Sequence, residues 1–528
     1  MLLGMQAAAQ EHKATWGGDI NVNPSVGRYY KNARVSVGYD GTIYVGRLWA
    51  SSPTGQYQNW EVLKSTDTGH TFTVLQNESV FGGNQYRSFD MLAAGANAAD
   101  FKIFVAYGSH DTTAVPVGQN RIRVQAFNAA GIQQSVLVDE VDTNNDGHYR
   151  SWESISLSSD WKEPNAISAP YELDIAAVKA HTYDSIIVWA SKNGGAAVTR
   201  RSLYGTLNFL KSVSSSIGST ISSTSMYGRL GVIWDEFALY SDIWGQLKAQ
   251  FMYADDASDP GINAGLQTLA GIPNFRHPCM VMSQQTGTVT GPGDSDIRTM
   301  VVYETDLVTG NYSTVASNCT DSLIRHNIDF SVNAIIKQGT VSGGALDAHA
   351  IFDPMYNNFM ITYYDSATQA LVYSLKPLSA SLAFAPLPFC ANYRDASTDL
   401  GTPAFPRTDI NTVNHQAVFV WNDNNHTMLD AEYALPASVQ RIPLNASDVQ
   451  VFPNPANDVL NVAFIAEKSD KISTSIYDIT GRQILVVEAS IDAGVNKIPV
   501  TVSDLPAGNY IVTVKGGSVS FNARFTRQ

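Results

Sequence analysis

Three cysteines in 528 residues exclude a disulfide framework. Cys279, Cys319 and Cys390 allow one bridge at most, and three unpaired buried thiols is the simpler expectation; no Cys-x-x-Cys pair suggests a metal. Charge is also scarce. Asp, Glu, Lys and Arg make up 16% of the chain, and the balance is acidic, at −14. A surface of that sign repels phosphate backbones and anionic lipid, so no nucleic-acid partner is expected. No apolar run approaches the ~20 residues needed for a membrane span. Also missing are His-Glu-x-x-His, Gly-x-Ser-x-Gly and a phosphate-binding Walker loop, which removes three large enzyme classes from consideration.

What is present favours strands. The chain has 39 Gly, 24 Tyr and 21 Phe, and 44% of its residues are hydrophobic, enough to build large cores. From about Asp19 to Ala437 one pattern recurs: an apolar strand, a turn of Asp, Asn, Gly or Tyr, and a second apolar strand. Ala33–Val37 turns at Asp40-Gly41 into Thr42–Val45. Ala348–Phe352 turns at Tyr356-Asn357-Asn358 into Phe359–Asp365. Similar hairpins occupy Met91–Ala106, Ile175–Trp189, Leu230–Trp244, Cys279–Tyr303 and Gln416–Trp421. Hairpins repeating at this interval, four strands to a unit, predict an all-β fold: a β-propeller of about seven blades over 19–437. Stacked sandwiches are the alternative, and no Pro/Ser-rich linker interrupts the region to support them.

The last eighty residues read differently. Pro453-Asn454-Pro455 gives a rigid turn, Val459–Phe464 a strand, Ile476–Ile479 a strand stopped at Thr480-Gly481, and Leu505–Asn509 a turn into Tyr510–Val514. Short strands at this spacing predict a small Ig-like β-sandwich over 449–528, after a linker at 438–448. The motifs PNPANDVLNV, YDITGRQI and LPAGNYIVTVKG, in that order at the C-terminus, resemble the type A C-terminal sorting domain that Bacteroidetes proteins carry for type IX secretion. The resemblance implies contact with the type IX translocon and its C-terminal signal peptidase. It further implies a product that is secreted or attached to the outer cell surface. At the other end, residues 1–18 include Ala7-Ala8-Ala9 before Gln10, similar to the cleavage region of a clipped signal peptide.

Ser65-Thr66-Asp67-Thr68-Gly69-His70-Thr71-Phe72 resembles the Asp-box of sialidase-like propellers. That motif implies a tight hairpin held by the Asp side chain, with Gly at positive φ and the aromatic packed into the blade; it is structural, not catalytic.

One loop carries metal-ligand spacing. Asp142-Thr143-Asn144-Asn145-Asp146-Gly147-His148-Tyr149-Arg150-Ser151-Trp152-Glu153 fits the twelve-residue Ca²⁺ loop. Asp142, Asn144 and Asp146 would supply side-chain oxygens, His148 its carbonyl and Glu153 a bidentate carboxylate. The flanks read as strands, so a structural Ca²⁺ between strands is expected. The competing reading is a polar surface turn without an ion.

Catalytic signals are weaker. Phe275-Arg276-His277-Pro278 resembles the Phe-Arg-Ile-Pro of sialidases, but stands mid-chain and differs at its third residue. No arginine triad can be assembled from Arg28, Arg34, Arg87, Arg276, Arg298 and Arg325. The pair Asp235-Glu236 should point to opposite faces of a strand, one solvated and one structural. His277, His349 and His415 read as core or rim residues. The sequence therefore favours an exported binder of an extracellular glycan or protein, with a sialidase-like exo-glycosidase or a structural surface component as alternatives.

Overall fold

The computed structural model describes residues 20–23, 25, 27–52, 54–79, 84–111, 120–142, 152–162, 171–180, 183–191, 193–218, 229–253, 267–269, 275–283, 299–306, 314–319, 334–337, 345–354, 358–365, 370–377, 392–393, 406–413, 416–423, 426–432, 450–452, 456–466, 470–478, 482–491, 494–516 and 520–528. Every regular element among them is a strand. The chain forms two compact units, one spanning Ala9–Ala434 and one containing Leu435–Gln528.

The large unit consists of four-stranded antiparallel sheets. Their first strands are Tyr29–Val37, Asn84–Ala94, Ser154–Ser159, Phe209–Gly218, Phe275–Met282, Ala345–Asp353 and Arg407–Asn411. In the first six sheets the strands pair in chain order. In the seventh, Arg407–Asn411, Gln416–Asp423 and His426–Glu432 are completed by Ile20–Asn21 from the start of the chain, with Ile20 opposite Leu429. Each first strand touches the first strand of the following sheet, and Arg407–Asn411 touches Tyr29–Val37.

Cores lie between successive sheets. Val178, Ile186 and Val188 of the third pack on Leu210, Leu230 and Trp234 of the fourth. Leu247 and Phe251 of the fourth pack on Phe275, Met280 and Tyr303 of the fifth. Val418, Val420 and Leu429 of the seventh pack on Val35, Ile43 and Val45 of the first, with Val22 beside them. Each such side chain contributes about 1.5–3 kcal/mol when fully buried. Gly231 permits one of these contacts: a Cβ there would lie 2.3 Å from Met280 Sδ.

Hydrogen bonds staple the first strands side by side. The Ala93 N–H donates to Ser36 Oγ (3.0 Å), and Leu157 N–H to Asp90 Oδ2 (2.7 Å). Val213 and Ser215 N–H donate to Ser154 and Ser156 Oγ (3.2 and 3.0 Å). Met280 and Met282 N–H donate to Ser214 and Ser216 Oγ (3.1 and 2.9 Å). The Ala350 N–H reaches Cys279 Sγ at 3.3 Å. From the sixth sheet's second strand, the Thr362 hydroxyl meets the Thr408 hydroxyl at 3.0 Å, and Val37 N–H donates to Asp409 Oδ2 at 2.7 Å. These N–H groups lie on the strand edge facing away from their own sheet, so its ladder cannot satisfy them and a neighbour's side chain does.

In the C-terminal unit, Gln450–Phe452, Val459–Ala466 and Gly494–Thr501 form one sheet. Gln483–Ile491, Asp470–Asp478, Gly508–Gly516 and Ser520–Arg527 form another, in that spatial order. Leu460, Val462 and Val500 share a core with Ile472, Ile476, Val512, Val514 and Phe525. The Tyr510 hydroxyl donates to Pro506 O at 2.7 Å and so fixes the turn before its strand. The motif residues Pro453-Asn454-Pro455 and Ile479-Thr480-Gly481 lie outside the described residues.

Candidate functional site

All seven first strands line one cavity of about 360 Å³. Their sequences explain its character. Alternate residues of each strand point the same way, so Ser-x-Ser-x-Ser segments give the wall small hydroxyls and leave open volume. Charged residues interrupt that wall: Arg34, Asp90, Lys162, His277, Asp347, His349, Arg407 and Asp409 all line it.

The beginning of the first strand is irregular in sheet after sheet. Register shifts occur at Lys31/Arg34, Tyr86/Ser88, Leu210/Val213, Arg276/Cys279 and Leu346/His349. Asn32, His277 and Asp347 take positive φ within these bulges, at 53°, 48° and 54°. Trp152, just ahead of Ser154–Ser159, does the same at 56°. Bulges re-aim side chains and are costly for residues other than glycine, so their repetition at one end of the cavity marks a built feature.

Second-strand carboxylates support the bulges. Asp235 accepts from Ser212 N–H (2.7 Å), Ser212 Oγ (2.6 Å) and His277 N–H (3.2 Å). Glu304 accepts from Asp347 N–H at 2.8 Å, from Arg276 at 2.8 Å, and lies 3.1 Å from His277 Nδ1. Burial would raise the Glu304 pKa, but His277 and Arg276 hold it down at about 2. Burial raises that of Asp347 to about 6, and the Glu304 charge adds to the effect. Burial opposes protonation of His277, yet the Glu304 bond and the charges of Glu304, Asp235 and Asp347 raise its pKa. Its side chain is 48% exposed.

Cations dominate another part of the wall. Arg34 pairs with Asp90 at 2.9 Å, and Lys162 with Asp409. Arg407 donates to Pro406 O at 2.8 Å and makes no ion pair among the described residues. Burial lowers its pKa to about 10, and Arg34 contributes. His349 Nδ1 is buried without a hydrogen-bond partner among the described residues, and burial, then the charges of Arg407 and Arg34, hold its pKa well below the ordinary value.

Of the predicted Ca²⁺ ligands, Asn144, Asp146 and His148 lie outside the described residues. Asp142 ends a strand, is buried, and stands 3.8 Å from Lys179 Nζ; Glu153 adjoins the third sheet. Arg276 does not line the cavity but lies over the Trp244 ring at 4.5 Å. Asp235 and Glu236 do face opposite ways, but the expectation that one is solvated fails. Both are buried, Asp235 against the Lys211–Ser212 bulge, Glu236 against Tyr204, Asn208 and Lys248. Both faces of the sheet are covered, which the alternation could not reveal. Sequence reasoning also missed Asp347, Glu304 and Arg407. Pro278 was the available signal for the bulge, because it cannot donate to a ladder. At Asp67, Thr71 N–H and Oγ1 donate to the carboxylate at 2.9 and 2.6 Å, and Gly69 has φ of 95°. Cys279 is a buried free thiol; the side chains of Cys319 and Cys390 lie outside the described residues.

Among solved structures, the chain is similar to a protein of unknown function from Dyadobacter fermentans DSM 18053. The identity is 12%, the TM-score 0.39, with 66% of this chain and 94% of that one covered. It is also similar to the Penicillium chrysogenum alpha-L-arabinanase complexed with arabinobiose (10% identity, TM-score 0.39, 80% and 99% covered). A third is the GH43_1 enzyme from Xanthomonas citri complexed with xylose (11%, TM-score 0.29, 70% and 93%). These likenesses are too distant to bear on chemistry. No curated protein sequence matches the chain. No helix among the described residues is long and apolar enough to cross a membrane. Residues 450–526 match the family described as the secretion system C-terminal sorting domain, so the chain carries the sorting tail of a type IX secretion cargo, directed to secretion or outer-surface attachment.

Proposed function

We propose that the exported unit is a seven-bladed propeller, closed by Ile20–Asn21, that binds a small carboxylate-bearing saccharide in its central cavity outside the cell. Support for closure comes from the contact of Arg407–Asn411 with Tyr29–Val37 and from the Asp409 staple to Val37. The observation that carries the ligand reading is Arg407, a half-buried guanidinium on the cavity wall beside Arg34 with no carboxylate partner among the described residues. A partly desolvated charge favours a counter-charge, and a planar guanidinium matches a carboxylate through two parallel bonds. The volume, about 360 Å³, fits a small molecule and no polymer. The serine wall offers hydroxyls suited to sugar.

Catalysis of the sialidase kind finds less support. That chemistry needs a Tyr–Glu nucleophile, and neither residue type stands among the described residues lining the cavity. The proposal retains Ca²⁺ at Asp142–Glu153 as bracing of the second-to-third-sheet connection, and the C-terminal signal peptidase as the enzyme that removes the tail.

Titration calorimetry with glucuronate and galacturonate against glucose and galactose tests the ligand class. Binding of the acids, absent for the neutral sugars and lost in Arg407→Met, is the expected result. Equal affinity for acid and neutral sugars, or acid binding that survives Arg407→Met, would sink it.

A further inference from the structure

The saccharide reading leaves one cluster without a role: His277 and Asp347 on the cavity wall, with Glu304 buried behind them. His277, Glu304 and Asp347 each present a ligand atom, and the three atoms lie within 4.8 Å of one another. We propose that these residues bind a divalent transition-metal cation of the zinc or manganese kind.

The second observation is the state of Asp347. The residue is 8% exposed, and its Oδ2 is buried with no hydrogen-bond partner among the described residues. An unsatisfied buried carboxylate oxygen is expensive. Its backbone N–H is already committed to Glu304 Oε1, at 2.8 Å, so the two acidic groups are held together. The backbone bond brings the two carboxyl groups close without giving Asp347 Oδ2 a partner among the described residues; a cation between them would supply one.

The distances suit an ion. Ligand atoms about 2.1 Å from a zinc-type centre stand about 3.0–3.4 Å from one another in tetrahedral or octahedral geometry. His277 Nδ1 and Glu304 Oε1 are 3.1 Å apart. In the ion-free chain a proton on Nδ1 holds this contact; on binding, that proton leaves to solvent and the lone pair turns to the metal. Arg276 Nε and Nη2 both bind Glu304 Oε2 at 2.8 Å, which leaves Oε1 facing the cluster. Arg276 is thus a positioning residue, of the outer-shell kind that orients ligating carboxylates. Two of the ligands, His277 and Asp347, occupy the bulges with φ of 48° and 54°. One imidazole and two carboxylates form a donor set for zinc or manganese; Ca²⁺ takes oxygen alone. Cys279 is engaged with Ala350 and adds no sulfur.

The test uses the full chain, stripped with chelator and assayed with Ca²⁺ in excess so that any oxygen-only site is filled. Calorimetry with Zn²⁺ and Mn²⁺ should record one ion per chain. Asp347→Asn should abolish this binding, and Arg276→Gln should weaken it about 10- to 100-fold. Arg407→Met should leave it intact, which separates this site from the saccharide reading. X-ray absorption at the zinc edge of the wild-type protein guards against a variant that fails to fold. It should reveal nitrogen and oxygen ligands with imidazole scattering. No stoichiometric binding of either ion, binding unchanged in a folded Asp347→Asn protein, or a sulfur shell would each overturn the proposal.

Discussion

Val37 and Asp409 stand 372 residues apart, and the Val37 N–H donates to Asp409 Oδ2 at 2.7 Å. The same carboxylate pairs with Lys162, whose ammonium also donates to Ile410 O at 2.9 Å. One side chain therefore ties together segments from the first, third and seventh sheets. Asp409→Ala would strand a largely buried ammonium and a backbone donor. We expect it to lower the unfolding free energy by about 2–3 kcal/mol in urea titrations. Asp409→Asn, which keeps an acceptor, should cost less than the alanine variant. Equal loss in both would place the effect in the charge and not in the staple.

The serine staples make a second, graded prediction. Ser214 and Ser216 each satisfy one edge N–H of Phe275–Met282. Replacing either with alanine leaves a buried donor unpaired, at about 1–2 kcal/mol each. Amide hydrogen exchange should localise the change to Met280 and Met282; uniform exchange across the unit would contradict it.

Glu236 supplies a pH dependence. Burial would raise its pKa, but bonds from Lys248, Asn208 and Tyr204 hold it below the ordinary value. A carboxylate depressed in the folded state adds stability above its unfolded pKa, and that stability is lost as pH falls through the folded value. The wild-type melting temperature should therefore drop more steeply below pH 4.5 than that of Glu236→Gln. Parallel curves for the two proteins would remove Glu236 from the acid response.

Deleting 450–528 should stop export, because the sorting family matches residues 450–526. Cell fractionation and immunoblotting would then find the truncated chain inside the cell. Its appearance in the medium at the wild-type level would contradict the assignment.

Calcium is tested at the loop itself. Calorimetry should detect one Ca²⁺ per chain, lost in Asp146→Ala. Absence of any heat in the wild type would return Asp142–Glu153 to a plain surface turn.

Much of the fold is written locally. At Asp40-Gly41 the Asp carboxylate accepts Thr42 N–H at 3.0 Å and Gly41 has φ of 81°, so the hairpin at Val37–Ile43 could be read residue by residue. Alternation in the strands and turn chemistry between them carry the rest of that information. The site is different. His277, Glu304 and Asp347 come from three strands of two sheets, and no spacing in the chain brings them together. Ser156 and Ser216 look like solvated residues, because a hydroxyl on a neighbour's N–H has the same sequence as one in water. Arg407 sits in a short strand of ordinary composition, and its meaning comes from Arg34 on the neighbouring strand, which no spacing in the chain reveals.

The pairing of Ile20–Asn21 with His426–Glu432 sets an order of events. During synthesis Ile20–Asn21 has no partner in this sheet until some four hundred residues later, when His426–Glu432 arrives. The export address at 450–526 is made later still. A ribosome-bound chain thus carries an incomplete sheet and no readable address until residues 426–432 and then 450–526 have been made. A truncated product of interrupted translation lacks the address first, so only chains long enough to complete the seventh sheet are ever presented for export.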